Sequence, residues 1–267
     1  MKKIYLFPVL ILFVIFLTGC LQLETKIYVN KDGSGTLEET VMFKDEVIEM
    51  MKQFIMAIDS TQSKDVNIFK EDDLISKAES YGEGVSYFSS EKLKSSGYEG
   101  ATVKYNFTDI SKLNLNLFSD EAVPGVSESD TPKNPEETLK FIFSRNNSES
   151  ELKIYIPSMM ESEQELPEEV NDSTFNEEYE KAKEMFADMK MSFRIIPAEK
   201  IKSTNADFVK DNEVTLLEMN MNGLLLKPEL FKELSGNKIN SLDEFRELIK
   251  NVEGFKIESK NEVQINF

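Results

Sequence analysis

The sequence predicts an α+β fold in which antiparallel β-hairpins form a meander sheet that packs against amphipathic helices. In several short segments, apolar residues alternate with polar ones, as at Leu37 and Val41, which is typical of half-buried strands. In other segments, apolar residues recur at helical spacing, as at Val47, Ile48 and Met51. Both patterns return in the second half of the chain, so the prediction includes two similar subdomains.

The first predicted element after the N-terminal region is a hairpin. Alternation over residues 21–29 resumes from Leu37 to Phe43, and Asn30-Lys31-Asp32-Gly33-Ser34-Gly35 supplies turn residues between the two strands. Helical spacing over residues 45–59 then predicts an amphipathic helix that covers the apolar face of this hairpin. Three further elements are predicted in this half: a weaker helix over 71–80 and strands near 85–93 and 98–107, joined by a turn at Ser95-Ser96-Gly97.

The chain changes composition over residues 119–137, where Ser, Pro, Asp and Glu predominate. Such a stretch is typical of an exposed loop or linker. The sequence therefore predicts an N-terminal α+β subdomain over 20–118 and a C-terminal α+β subdomain over 138–267.

The second half repeats the two patterns. The predicted elements are a hairpin over 139–156, a helix leading into a strand over 179–195, a strand over 214–221, a short helix from Pro228 to Leu234, a helix over 242–252 with a capping box at Ser241 and Glu244, and a closing hairpin over 255–267.

Residues 1–20 have the pattern of a targeting segment. Lys2 and Lys3 precede the uncharged apolar stretch 4–17, and Leu17-Thr18-Gly19-Cys20 places small residues before the one cysteine of the chain. The apolar stretch is shorter than the ~20 residues that a spanning helix needs. The segment resembles a bacterial lipoprotein signal peptide, which implies cleavage of residues 1–19 between Gly19 and Cys20 and acylation of Cys20. The protein is then expected on the extracytoplasmic side of a cell membrane or outer membrane.

Composition excludes several kinds of chemistry. The chain has no histidine and one cysteine, which rules out Ser-His-Asp and Cys-His catalysis and an internal disulfide. Loss of residues 1–19 removes two lysines and takes the net charge from −18 to −20. Such a charge disfavours both nucleic acid and anionic headgroups as partners, so the acyl chains on Cys20 are expected to bind the membrane and the folded part to be held off its surface.

Two oxygen-rich stretches are candidates for metal sites. Asn30, Asp32 and Ser34 occupy the first ligand positions of an EF-hand-like loop over 30–41, but position 12 is Val41, which favours a hairpin turn. The acidic run from Glu161 to Asp172 is loosely spaced and favours a solvated loop. We expect no metal and no cofactor.

The mature segment also resembles the LppM-like group of bacterial lipoproteins. The resemblance rests on the strand after Cys20, the Asp32-Gly33-Ser34-Gly35 hairpin, and Ser203-Thr204-Asn205-Ala206 followed by Asn212-Glu213-Val214-Thr215. The turn glycine expected in that group is missing from residues 209–212. The resemblance implies an α+β domain on a lipid anchor with an envelope-related role and no catalysis.

The favoured interpretation is a non-catalytic, lipid-anchored envelope lipoprotein that acts as a binding or assembly module, with an envelope protein as partner. The alternative is a carrier or sensor that holds an apolar ligand or lipid between sheet and helices; exposure of Met50 and Met56, which lie off the main apolar stripe, would favour it. The third interpretation is a hydrolase that works through paired carboxylates and needs no histidine.

Overall fold

The computed structural model describes residues 21–58, 68–117, 138–146, 149–157, 172–236 and 242–267. These residues form twelve strands and six α-helices, and the mostly antiparallel pairing in two sheets confirms the α+β class. The strands are β1 (Leu21–Val29), β2 (Gly35–Lys44), β3 (Val85–Ser95), β4 (Tyr98–Phe107), β5 (Lys140–Asn146), β6 (Glu149–Tyr155), β7 (Lys190–Pro197), β8 (Ser203–Thr204), β9 (Val209–Lys210), β10 (Glu213–Asn220), β11 (Phe255–Ile257) and β12 (Glu262–Asn266). The helices are α1 (Asp45–Ile58), α2 (Glu71–Ser80), α3 (Asp172–Phe186), α4 (Met221–Leu225), α5 (Pro228–Gly236) and α6 (Leu242–Ile249).

The larger sheet has the strand order β11-β10-β7-β1-β2-β4-β3, and β9 adds to it by pairing with β10. β1 and β7 run parallel, whereas the other neighbours are antiparallel. The larger sheet therefore contains strands from both predicted subdomains, residues 20–118 and residues 138–267. The division into two subdomains remains a prediction, and the two segments share backbone hydrogen bonds.

The predicted first hairpin is confirmed. β1 and β2 pair antiparallel from Leu21 opposite Phe43 to Val29 opposite Gly35. A Cβ on Gly35 would lie 1.9 Å from the backbone oxygen of Tyr28, so the close approach of the two strands admits only glycine at this position. On one face of the sheet the odd-numbered residues from Leu23 to Val29 and from Leu37 to Phe43 are buried, and Val47 and Ile48 of α1 join the same core.

The smaller sheet has the order β5-β6-β12-β8. Its apolar residues, among them Leu152 and Ile265 at 0% exposure, belong to the same core cluster as the larger sheet. The backbone of Phe267 exchanges two 3.0 Å hydrogen bonds with Ser150, so the last residue of the sequence is bound to β6.

The predicted closing hairpin is wrong, because its two strands lie in different sheets. β11 pairs with β10 of the larger sheet, and β12 pairs with β6 and β8 of the smaller one. The chain crosses between them over residues 258–261: the N–H of Glu258 still donates to Leu216, at 3.0 Å, while the carbonyl of Asn261 already accepts from Ile156, at 2.9 Å. The buried Glu258 carboxylate accepts from the backbone N–H groups of Asp207 and Lys260 and thereby stabilises the crossing.

None of the helices in the described ranges combines the length and the apolar character needed to cross a membrane.

Candidate functional site

The predicted anchor residues, Gly19 and Cys20, lie outside the described residues, but their covalent neighbour does not. Leu21 is the first residue of β1, and β1 has three strands on each side of it in the larger sheet. Cys20 is therefore one peptide bond away from the first residue of the central strand of the sheet. An acyl group on Cys20 would be attached to the folded part with almost no linker.

The Asn30–Ser34 segment, for which the sequence favours a hairpin turn over a calcium loop, is a hairpin turn whose polar groups bond to one another. Asp32 accepts hydrogen bonds from the backbone N–H of Ser34 at 3.1 Å and from its hydroxyl at 2.6 Å, and Asn30 donates to the same hydroxyl at 3.0 Å. These bonds from Ser34 hold the pKa of Asp32 below its ordinary value. The side chains in the EF-hand ligand positions thus serve as turn-forming groups.

This turn is also the junction between the two sheets. Gly33 has a φ of +84°, and a Cβ on it would come within 2.6 Å of the Phe143 ring, which belongs to β5. The Ser150 hydroxyl of β6 donates to the carbonyl of Lys31 at 2.9 Å, and the N–H of Ile110 donates to the carbonyl of Gly33 at 2.8 Å. The first glycine of Asp32-Gly33-Ser34-Gly35 is therefore required for a left-handed backbone beneath an aromatic ring.

The two later segments of the family resemblance also have joining roles. Asn205 substitutes for a strand residue: its side chain accepts from the N–H of Gln264 at 2.7 Å and donates to the carbonyl of Glu262 at 2.9 Å. Asn212 accepts from the N–H of Ile201 at 2.8 Å and donates to the carbonyl of Pro197 at 2.6 Å. Asp211 has a φ of +54°, so in this chain an aspartate takes the left-handed position in the segment that lacks the turn glycine.

The core contains a polar cluster that the sequence patterns did not predict. Glu39 lies on the buried face of β2 between Leu37 and Val41 and is 5% exposed. Its carboxylate accepts from the Lys77 ammonium at 2.9 Å and from the Tyr81 hydroxyl at 2.5 Å. Lys77 and Tyr81 are four residues apart, so α2 presents both to the sheet from one side. The signal was present in the sequence as a glutamate on the apolar face of an alternating strand.

A second tyrosine, Tyr105 of β4, completes this cluster. Its ring packs edge-on against Tyr81 at 5.0 Å and against Tyr87 at 6.2 Å. Burial, followed by the nearby Glu39 charge, raises the pKa of Tyr105 well above its ordinary value, so the phenol stays neutral. Within the described residues its hydroxyl has no hydrogen-bond partner. The cluster binds α2 to the sheet through an ion pair and hydrogen bonds.

A second cluster of carboxylates supports the crossing between the sheets. Burial and the hydrogen bonds act in opposite directions on Asp207: burial pushes its pKa upward, but bonds from Ser259 and Lys260 prevail and hold the pKa well below its ordinary value. The Lys260 ammonium lies 2.9 Å from Asp207. Burial raises the pKa of Glu258 in the same cluster.

We expect the substitution Asp207→Asn to lower the free energy of unfolding by about 1 kcal/mol at pH 7. The folded-state pKa of Asp207 lies below its ordinary value of 3.8, so the ionised group stabilises the fold above that pH. The contribution is lost as the pH falls below 3.8 towards the folded-state pKa. Urea unfolding at pH 7 and near pH 3 should therefore show a difference from the wild type that shrinks in acid. Asp211→Asn, at an exposed turn position that tolerates asparagine, is the control and should unfold almost like the wild type at pH 7. A difference that does not depend on pH would contradict the assignment.

The remaining candidates from the sequence are two methionines, the acidic run and the predicted linker. Met50 on α1 is 39% exposed and Met56 is half-buried. The acidic run 161–171 and the predicted linker lie outside the described residues. In the part of the chain that the structure describes, no three His, Cys, Asp or Glu side chains are placed to hold a metal ion.

Comparison with known proteins yields one distant structural similarity. Neither the family models nor the curated proteins contain a match to the chain. The chain is similar to the NMR structure of the folded domain of LppM from Mycobacterium tuberculosis, with a TM-score of 0.33 and 12% identity over 82% of this chain and 88% of that chain. A TM-score this low does not establish a common fold, and the lipid anchor stays a prediction from the sequence.

Proposed function

We propose that this chain is a non-catalytic lipoprotein of the cell envelope, anchored through acylated Cys20, whose α+β domain acts as a binding or assembly module. The observation that carries the proposal is the position of Leu21, which begins a central strand directly after the lipobox cysteine. With the signal peptide cleaved, only Cys20 would precede β1 in this arrangement. The first described strand therefore begins one residue after the position at which lipoprotein processing would start the mature chain.

The environments of the buried carboxylates support a non-catalytic role. Glu39 is bound to Lys77 and Tyr81, and Glu258 is bound to two backbone N–H groups. Catalytic carboxylates need access to a substrate. These carboxylates have structural partners instead.

A binding role is supported by single large apolar side chains on the surface. Phe88 is 62% exposed and lies where the register of β3 against β4 shifts, and Leu226, which follows α4, is 82% exposed. Aromatic side chains that fill pockets on a partner are frequent energetic anchors of interfaces, and edge strands such as β3 are frequent sites of contact.

The anchor is tested by metabolic labelling of the full chain with a palmitate analogue in a bacterial host. We expect label in the wild type and none in Cys20→Ser, which should also leave the membrane fraction, because only the acyl chains hold the protein there. Thr18→Ala keeps a small residue in the lipobox and is the matched control that should retain both label and membrane binding. An unlabelled wild type, or label that persists in Cys20→Ser, would refute the anchor.

Native mass spectrometry of the released mature chain distinguishes two hypotheses: that the domain is a binding module, and that it carries a lipid. A mass equal to that of the acylated polypeptide favours the module, and crosslinking in the envelope would then identify the partner. An additional mass that extracts into organic solvent would mean that the domain carries an apolar ligand and would replace the module with the carrier.

A further inference from the structure

We propose that the folded domain stands on the phospholipid bilayer with one particular edge of the larger sheet, the edge at which β1 begins. We name it the anchor edge. The proposal rests on the proposed acylation of Cys20 and adds to it the surface that contacts the membrane and the orientation of the domain.

The pairing register brings seven strand ends together at the anchor edge. Antiparallel pairing places the end of β2 beside the start of β1, and parallel pairing places the start of β7 there as well. The terminal residues of this edge, taken across the sheet, are Ser95 of β3, Tyr98 of β4, Lys44 of β2, Leu21 of β1, Lys190 of β7, Asn220 of β10 and Phe255 of β11.

The attachment point lies at the middle of this edge. Leu21 belongs to the fourth of the seven strands in the order. With a strand spacing of ~4.8 Å, the edge extends about 14 Å to either side of Leu21. The Cα of Cys20 is only ~3.8 Å from that of Leu21. An anchor so close and so central leaves the domain little freedom to turn another surface towards the headgroups.

The charges of the anchor edge are compatible with a phospholipid surface, although the mature chain carries a net charge of −20. Asp188 is paired with Lys44 at 2.5 Å, and a hydrogen bond from Lys44 outweighs burial to hold the pKa of Asp188 below its ordinary value. Glu99 lies 3.9 Å from the Lys52 ammonium. The side chain of Lys94 is 75% exposed, and Lys190 is exposed as well.

Three more acids lie beside this edge: Asp45 and Glu46 in the first turn of α1, and Glu253 in the turn before β11. Lys94 and Lys190 offset two of them, so the side chains named here leave the edge with one negative charge, against −20 for the mature chain. Repulsion of anionic headgroups at this edge is therefore weak.

The test uses the acylated full chain, in which the one native cysteine is blocked by lipid, so that an introduced cysteine is the only free thiol. A fluorophore is attached to Ser96→Cys at the anchor edge or to Glu83→Cys near the other end of β3. Asn222→Cys at the anchor edge and Lys210→Cys at the far edge make a second pair on the other side of β1. All four positions are exposed. Each protein is reconstituted into phosphatidylethanolamine and phosphatidylglycerol vesicles that contain headgroup-spin-labelled lipid.

We expect several-fold stronger quenching at Ser96→Cys and Asn222→Cys than at their partners, because β3 alone spans eleven residues, or about 36 Å. Equal quenching at the two ends of β3, or quenching at only one of the two anchor-edge positions, would overturn the proposed orientation. Protein that fails to float with the vesicles and carries no acyl chain would instead refute the proposed function, and the orientation with it.

Discussion

Replacing Lys77 with methionine should lower the free energy of unfolding by about 3 kcal/mol. The side chain of Lys77 is 16% exposed and that of its partner Glu39 is 7% exposed, so the ion pair lies in the core and water cannot replace the lost ammonium. Among the described residues, the buried Glu39 carboxylate would keep the Tyr81 hydroxyl as its one remaining partner. Urea denaturation at pH 7 measures the change.

A double-mutant cycle distinguishes an unpaired buried charge from simple loss of packing. Adding Glu39→Met to Lys77→Met should recover most of the lost stability, because an apolar pair of similar volume leaves no charge without a partner. The control is Lys112→Met, which breaks an ion pair with the same 2.9 Å separation but with side-chain exposures of 44% and 82%. That variant should unfold almost like the wild type. Additive losses in the double variant would contradict our interpretation of the cluster.

The substitution Gly35→Ala should destabilise the protein by about 4 kcal/mol, or prevent folding. The added Cβ would lie 1.9 Å from the backbone oxygen of Tyr28 and 2.5 Å from the Phe107 ring, and the pairing of β1 with β2 prevents the backbone from moving away. Thermal and urea unfolding of the purified variant measure the loss.

Gly97→Ala is the matched control for this steric argument. Gly97 has a φ of +78°, but a Cβ there has no atom within 4 Å, so alanine should cost only the backbone strain of about 1 kcal/mol. Equal losses of stability in the two alanine variants would contradict the claim that the close approach of the strands requires glycine at position 35.

Local periodicity predicted most of the individual elements. α2 was predicted at Glu71–Ser80, where the structure has it, and the predicted hairpin turn near Gly97 joins β3 to β4. These elements follow from the spacing of apolar residues and from glycine in turns, both of which are properties of neighbouring residues. The short helix α4 was missed because its five residues carry too little periodicity to be distinguished from the end of a strand.

Pairing between distant segments could not be predicted in the same way. The parallel contact of β1 with β7 joins residues about 170 positions apart, and the closing strands separate into two sheets. An alternating pattern predicts which face of a strand is apolar, but it does not predict which strand is its neighbour in the sheet. The reason is that each apolar face can pack against several others. Glu39 was missed for a related reason, since Lys77, which makes its burial tolerable, lies on a helix 38 residues away.

The α+β class, the first hairpin and the prediction that Cys20 carries the anchor follow from the sequence alone, since each depends on composition or on residues adjacent in the chain. Two features are visible only in the folded protein: the hairpin turn joins two sheets, and Glu39 holds α2. The fold also places Leu21 at the middle of a seven-strand edge. The reason is physical: burial, ion pairing and strand order depend on which distant segments share a core, and that choice minimises the free energy of the whole chain.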